Sequence, residues 1–239
     1  MPKFNVILLF LVLSRIHVAG QPSTLKKDCE AINQINTAIT NGTLSKSAAA
    51  KQFKTLIKRV KAECHFVAKT PWTFPLASYD YKAIGGTNGS GYSAVGYHYL
   101  DGNEHSAHPA HDIFIHDTDQ NSLDDRTQKP VDVLAVTNGV VIACENQWQT
   151  GSSLRGGKYI WLYHPQLNIV TYYAHNSTIL VTPGDVVKQG QKIAEAGRTG
   201  FNAYKKRSPT HLHFSAFKLA GDMPMPYNPY TVLTQAKSE

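Results

Sequence analysis

From residue 108 to about 217 the chain alternates short apolar runs with turn residues, the rhythm of an all-β unit. Residues 131–136 and 140–144 read as strands joined through Asn138-Gly139, a strong hairpin signal. Residues 158–163 and 168–174 read as a second hairpin, turning near His164-Pro165. Shorter runs follow at 181–187 and at Lys192-Ile193, and the run 210–217 closes the unit. Ahead of it the period changes. Leu25, Ile32, Ile35 and Ile39, then Ala48, Phe53, Leu56, Ile57 and Val60, recur at helical spacing. Ser23-Thr24 and Ser45 can cap the two helices, and Asn41-Gly42 breaks between them. The expected architecture is mainly β, an antiparallel sheet or sandwich over residues 108–218, with an N-terminal α-helical hairpin over residues 21–66. Residues 67–107, with Pro71, Pro75 and the Gly-rich run 85–91, read as linker and groove-bordering loops. Residues 219–239, with Pro224, Pro226 and Pro229, read as a tail on the surface.

Residues 1–20 follow the pattern of an export signal. Lys3 is the positive start, residues 6–13 are apolar, and Val18-Ala19-Gly20 is a small-residue cleavage site. The apolar run is too short to span a bilayer, so no stable membrane insertion is expected. Of 239 residues, 42% are hydrophobic and 17% charged, which excludes a compositionally disordered chain. The net charge is +7, with basic residues gathered in the helical region and at Lys205, Lys206 and Arg207. No nucleic-acid motif accompanies that charge, so an anionic cell envelope is the expected partner surface. In an oxidising compartment Cys29 and Cys64 would form a disulfide across the hairpin, leaving Cys144 as a buried thiol.

Histidines carry the candidate chemistry. In His211-Leu212-His213 the two imidazoles share one strand face, roughly 6–7 Å apart. The segment from His105 to His116 holds four histidines and Asp112. If it enters a strand, only even separations share a face, so His108 is the best partner for Asp112, and His111 points away. His116 has the right parity but lies roughly 13 Å along the strand. His175 ends the run Tyr172-Tyr173-Ala174; a lone histidine there, like His164, is ordinarily structural. The Gly-rich 85–91 run lacks a Gly-Lys-Ser ending and a following helix, so it is not a phosphate loop. Asp117, Asp119, Asn121, Asp124 and Asp125 lack the glycine and terminal Glu of an EF-hand, and read as a solvated loop.

Taken in order, the motifs resemble the lysostaphin/LytM-type zinc metallopeptidases that cut peptidoglycan peptides. The matching residues are His108 and Asp112, Tyr173-Ala174-His175, the run from Gly184-Asp185 to Ile193, Gly197-Arg198-Thr199-Gly200, and His211-Leu212-His213-Phe214. The resemblance covers about residues 95–218. It implies an antiparallel fold of the duplicated hybrid motif kind and one zinc ion per chain held by His108, Asp112 and His213. It places His175 and His211 beside the reacting water, without dividing base from oxyanion roles between them. It implies hydrolysis of peptide bonds in peptidoglycan by an exported protein, periplasmic or extracellular and wall-associated. Three departures bear on the groove rather than the ligands: Ala110 stands where the family usually has Gly, His111 replaces an apolar residue, and polar stretches are inserted after residue 116 and at 203–209. The rival reading is a non-catalytic envelope protein of the same fold that binds peptidoglycan or activates another hydrolase. A lipoyl-like carrier would need a modifiable Lys at a hairpin tip, which is not evident.

Overall fold

The computed structural model describes residues 23–67, 69–104 and 107–239; the export-signal expectation falls outside them. Helix α1 spans Thr24–Thr40 and α2 Lys46–Glu63. The Ser23 and Ser45 hydroxyls accept from the backbone N–H groups of Lys26 and Ala48, which satisfies donors that a helix start leaves free. Gly42 takes φ +64° in the break between the helices. Cys29, Ile32, Ile35 and Ile39 on α1, and Ala49, Phe53, Ile57 and Val60 on α2, are buried. These are the stripes read from the helical period.

The rest is antiparallel β-structure in two sheets. The strands are β1 (Ala110–Phe114), β2 (Asp132–Leu134), β3 (Gly139–Glu145), β4 (Lys158–His164), β5 (Ile169–Asn176), β6 (Thr178–Ile179), β7 (Val186–Val187), β8 (Lys192–Glu195), β9 (His211–Ala220) and β10 (Met223–Tyr227). A seven-stranded sheet runs β1-β9-β5-β4-β3-β7, with β10 also paired to β9. A three-stranded sheet runs β2-β8-β6. Strand β9 shares one edge between two partners: β1 lies along its residues 211–215 and β10 along its residues 216–220. The tail is therefore a strand in part. Pro224 and Pro226, which cannot donate ladder hydrogen bonds, are confined to an edge.

One expected hairpin is corrected. Strands β2 and β3 do not pair; β2 joins β8, and β3 joins β4 and β7. Neither Asn138 nor Gly139 has the positive φ of a type I′ turn. The Asn138 carboxamide instead donates to the Val67 carbonyl and accepts from the Gln189 N–H, which carries the chain from one sheet to the other. The second hairpin forms as the pattern indicates, with β4 and β5 joined by a short 3-10 turn and Asn168 in the left-handed region.

The two faces of the large sheet are used differently. Ile113, Val141, Ile160, Leu162, Tyr173, Leu212 and Phe214 pack toward Val133 and Ile193 of the small sheet, with Trp72, Phe74 and Leu76 from the preceding segment. On the other face Val140, Ile142, Trp161, Tyr163, Val170, Phe217 and Leu219 share a second core with both helices. The expected Cys29–Cys64 disulfide is absent: both are free thiols buried in that second core. Burial pushes them up to about 12 and about 11, so the thiolate needed for oxidation is scarce. Cys144 is a free, half-buried thiol.

Candidate metal centre

The helix-bearing face of the large sheet also carries the histidines. In the β1–β9 ladder Asp112 lies opposite His213, and Phe114 opposite His211. Cross-strand partners share a face, so Asp112, His213 and His211 converge on one patch. His108, two residues ahead of β1, is held by a bridge to Ser93. Its Nε2 lies 3.2 Å from Asp112 Oδ1, and His213 Nδ1 lies 3.1 Å from the same oxygen. Ligand atoms of the three residues all lie within 4.8 Å of one another. Tetrahedral zinc with bonds of 2.0–2.1 Å needs ligand atoms about 3.3 Å apart, so two nitrogens and a carboxylate oxygen at these spacings fit that ion.

The other ring nitrogens are committed elsewhere. His108 Nδ1 is 2.9 Å from the Gly91 carbonyl, His211 Nδ1 2.8 Å from the Pro209 carbonyl, and His175 Nδ1 2.8 Å from the Thr199 carbonyl. A carbonyl can only accept, so each Nδ1 carries the hydrogen; the Nε2 of His175 and of His211 is left with a lone pair, while that of His108 faces the Asp112 carboxylate. The Gly-rich loop thus acts through the Gly91 carbonyl.

Electrostatics reinforce the grouping. Burial alone would raise the Asp112 carboxyl, but hydrogen bonds from His108 and His213 and the potentials of His213 and His211 hold it far below the usual carboxylate range. The hydrogen bond to Asp112 raises His108 despite burial. Burial lowers His213, and burial together with the neighbouring His211 and His213 lowers His175 well below the ordinary imidazole value.

His175 reaches this patch by a route that strand parity does not predict. Ala174 lies opposite His213, so the next residue should face the other way. Instead His175 takes φ +67°, rare for a non-glycine residue, where the β4–β5 register shifts. The irregularity turns its imidazole to ring-centroid distances of 4.8 Å from His211 and 5.4 Å from His213. Gly200 makes this possible, because a Cβ there would lie 2.8 Å from His175 Nδ1 and 2.3 Å from the Arg155 carbonyl. That close approach gives the Gly197-Arg198-Thr199-Gly200 motif a physical reason.

The remaining histidines of the 105–116 segment lie elsewhere. His111 is buried on the opposite face, between the rings of Tyr92 and Tyr230, with Nε2 2.9 Å from Asn228 Oδ1. His116 stacks against Tyr79, and His105 is outside the described residues. His164 is fully buried with both nitrogens bonded, to the Asn138 carbonyl and the Thr171 hydroxyl. The Asp-rich insertion is not simply solvated, since Asp117 and Asp124 are buried. Asp117 accepts from the N–H groups of Asn121 and Ser122, and Asp124 holds Tyr79 and Arg126. Asn176, in an Asn-x-Ser/Thr sequon, is fully buried and closed to modification in the folded chain.

A cavity of about 400 Å³ opens from the five histidine and aspartate side chains along the same sheet face. Tyr97, Tyr99, Tyr159, Trp161, Tyr172 and Phe217 line it, together with Asn36 and Thr40 of α1. Tyr97 and Tyr99 come from the 67–107 stretch read as groove-bordering loops. Tyr159, Trp161 and Asn36 lie outside that stretch, although the odd-numbered positions of β9 from 211 to 217 continue the histidine face.

Residues 119–226 match the sequence profile of peptidase family M23. That stretch contains His175, His211 and His213; His108 and Asp112 precede it. Among curated proteins, the chain is 40% identical over 83 residues to a Pseudomonas aeruginosa "Lipoprotein NlpD/LppB homolog", covering 34% of this chain and 24% of that protein. It is 39% identical over 83 residues to the Escherichia coli "Murein hydrolase activator NlpD", covering 34% of this chain and 18% of that protein. The chain therefore spans a quarter or less of the length of these relatives. Among solved structures, a zinc-containing peptidase from Vibrio cholerae is 23% identical with a TM-score of 0.42, covering 70% of this chain and 40% of the other. The catalytic domain of lysostaphin from Staphylococcus simulans is 26% identical with a TM-score of 0.39, covering 60% and 86%. No described helix is long and apolar enough to cross a membrane. The antiparallel fold and the ordered motifs accompany a match to the peptidase family M23 profile over residues 119–226.

Proposed function

We propose that this protein is an exported zinc metalloendopeptidase that hydrolyses peptide bonds in peptidoglycan. The observation that supports it most is the convergence of His108, Asp112 and His213 with the Nε2 atoms of His175 and His211 left open beside them. His108, Asp112 and His213 would hold one zinc ion, which supplies positive charge to acidify a water and polarise the scissile carbonyl. The chain's own part is positional. The Pro209 and Thr199 carbonyls fix the tautomers of His211 and His175, so both present a lone pair to the same small volume. One imidazole takes the proton of the attacking water at Nε2; an imidazolium so formed then returns it to the leaving amine. The partly buried sheet floor limits competing water and strengthens these charge interactions. The basic surface would favour an anionic wall in the envelope.

A second reading has one observation in its favour: an E. coli relative is named a murein hydrolase activator. The two separate cleanly. Purified mature protein is expected to hold about one zinc per chain and to release new amino groups from peptidoglycan with no other hydrolase present, and a chelator should abolish the release. Metal-free protein that releases none across a broad panel of peptidoglycans, yet accelerates an added hydrolase, would replace the enzyme reading with the activator one.

A further inference from the structure

The helical pair packs on the sheet face that carries the candidate metal centre, and Asn36, Ile39 and Thr40 of α1 line the cavity there. Its contribution is a rigid wall. The buried Asn36 carboxamide donates to the Tyr159 hydroxyl at 2.8 Å and accepts from the Tyr99 hydroxyl at 3.1 Å. Thr40 donates to the Asn36 carbonyl at 2.8 Å. Tyr99 belongs to a 3-10 segment, Tyr99–Glu104, wedged between α1 and the loop before β4. Within it Gly102 takes φ +56° so close to α1 that a Cβ would lie 2.3 Å from the Ile39 carbonyl. Asn103 bonds the Ser153 carbonyl and the Arg155 N–H, both at 2.9 Å. The rings continue the wall inward: Tyr99 meets Trp161 at 5.6 Å, and Trp161 meets Tyr172 at 5.0 Å and Phe217 at 5.1 Å.

Three features define what this end can receive. The wall residues Asn36, Ile39, Thr40, Tyr99, Tyr159 and Trp161 carry no charge. The Asn36 carboxamide is already engaged by two phenols. The whole cavity, about 400 Å³, is at the small end for ligand sites, enough for a short peptide segment. Arg155 also lines the cavity, but a charged side chain packed against the wall residues would lose its hydration without gaining an opposite charge from them. An alkyl side chain would gain contact with the rings.

Resting on the peptidase reading of the same site, we infer that the α1 C-terminal turn and the 3-10 segment are a specificity wall. They stop the groove on this side and receive one neutral, apolar side chain of the substrate peptide next to the scissile bond. The hairpin is thus a fixed part of the substrate site.

The test uses the full mature chain carrying His211→Ala, so that peptide is not consumed, with zinc content measured in the same samples. Calorimetric titration compares acetyl-Ala-Leu-Ala-amide with the same peptide carrying Asp or Lys in place of Leu. The Leu peptide is expected to bind at least tenfold more tightly. Thr40→Trp, from a half-buried position, should fill the pocket and remove that preference while leaving zinc content unchanged. Leu154→Trp fills it from another lining position and stands in if Thr40→Trp does not fold. Equal binding of the Leu, Asp and Lys peptides, or a preference that survives a folded pocket-filling variant, overturns the wall. Loss of zinc with the Leu preference intact would instead count against the peptidase reading and leave the wall standing.

Discussion

Among the described residues, two regions bring three potential ligand side chains together: His108, Asp112 and His213 on the sheet face, and Asp117, Asp119 and Asp125 in the insertion. They differ in what their atoms are already doing. In the first, the Nε2 of His108 and the Nδ1 of His213 both aim at one carboxylate oxygen. In the second, the oxygens are occupied by the loop itself. Asp117 accepts from Asn121, Ser122 and Thr210, Asp119 from Asn121, and Asp125 from both the N–H and the hydroxyl of Thr118. Proximity does not separate the two clusters; what the ligand atoms face does, one another in the first and surrounding N–H and hydroxyl groups in the second. His164 extends the lesson to histidines. It is as buried as His175, but both of its nitrogens are spoken for.

The sharpest test of that contrast is His213→Ala. It removes a proposed ligand atom, so zinc should drop from about one per chain to near none, with amine release falling to background; retained zinc would break the assignment. His211→Ala should keep most of the metal and lose a factor of roughly 10²–10⁴ in rate, the usual worth of a positioned acid or base. Equal zinc loss in both variants would dissolve the division between ligand and proton carrier.

His164 offers a test on stability. Its value is lowered from 6.5 to about 4 by burial, so between those pH values the unfolded chain binds more protons than the folded one. Its contribution is therefore complete above about pH 6.5 and lost as the pH falls toward about 4, by about 3 kcal/mol in all. Urea midpoints from pH 7 to pH 4 should fall less steeply in His164→Gln than in wild type; parallel curves would show that this histidine is not buried neutral. In the acidic loop, Asp117→Ala should cost about 1–3 kcal/mol through stranded donors yet leave zinc content unchanged. The smallest effect is expected for the exposed Asp119→Asn, within about 0.5 kcal/mol of wild type and with no change in zinc. Zinc loss in either variant would show that the loop is coupled to the metal centre.

Much of this arrangement is written locally in the chain. The helices follow from apolar spacing and the Ser23 and Ser45 caps, and β4–β5 from two apolar runs around Pro165. Strand parity alone separates His108 from His111 and puts His211 beside His213, because alternation is a property of any extended backbone. What parity could not supply is the fate of residues whose backbone leaves the regular pattern. Asn138-Gly139 looks like a hairpin turn, yet its side-chain partners lie in segments far along the chain. Cys29 and Cys64 have the placement of a disulfide, yet packing buries them as thiols.

The sequence by itself determined the candidate donors, since the identity and phase of His108, Asp112, His211 and His213 are local facts, while their roles came from the family resemblance. Only the tertiary structure decided how His175 joins them and where the groove ends. The first depends on a left-handed residue tolerated beside Gly200, and the second on α1 lying across the histidine face of the sheet. Both are contacts between distant segments, and such contacts leave no period along a single strand or helix from which to read them.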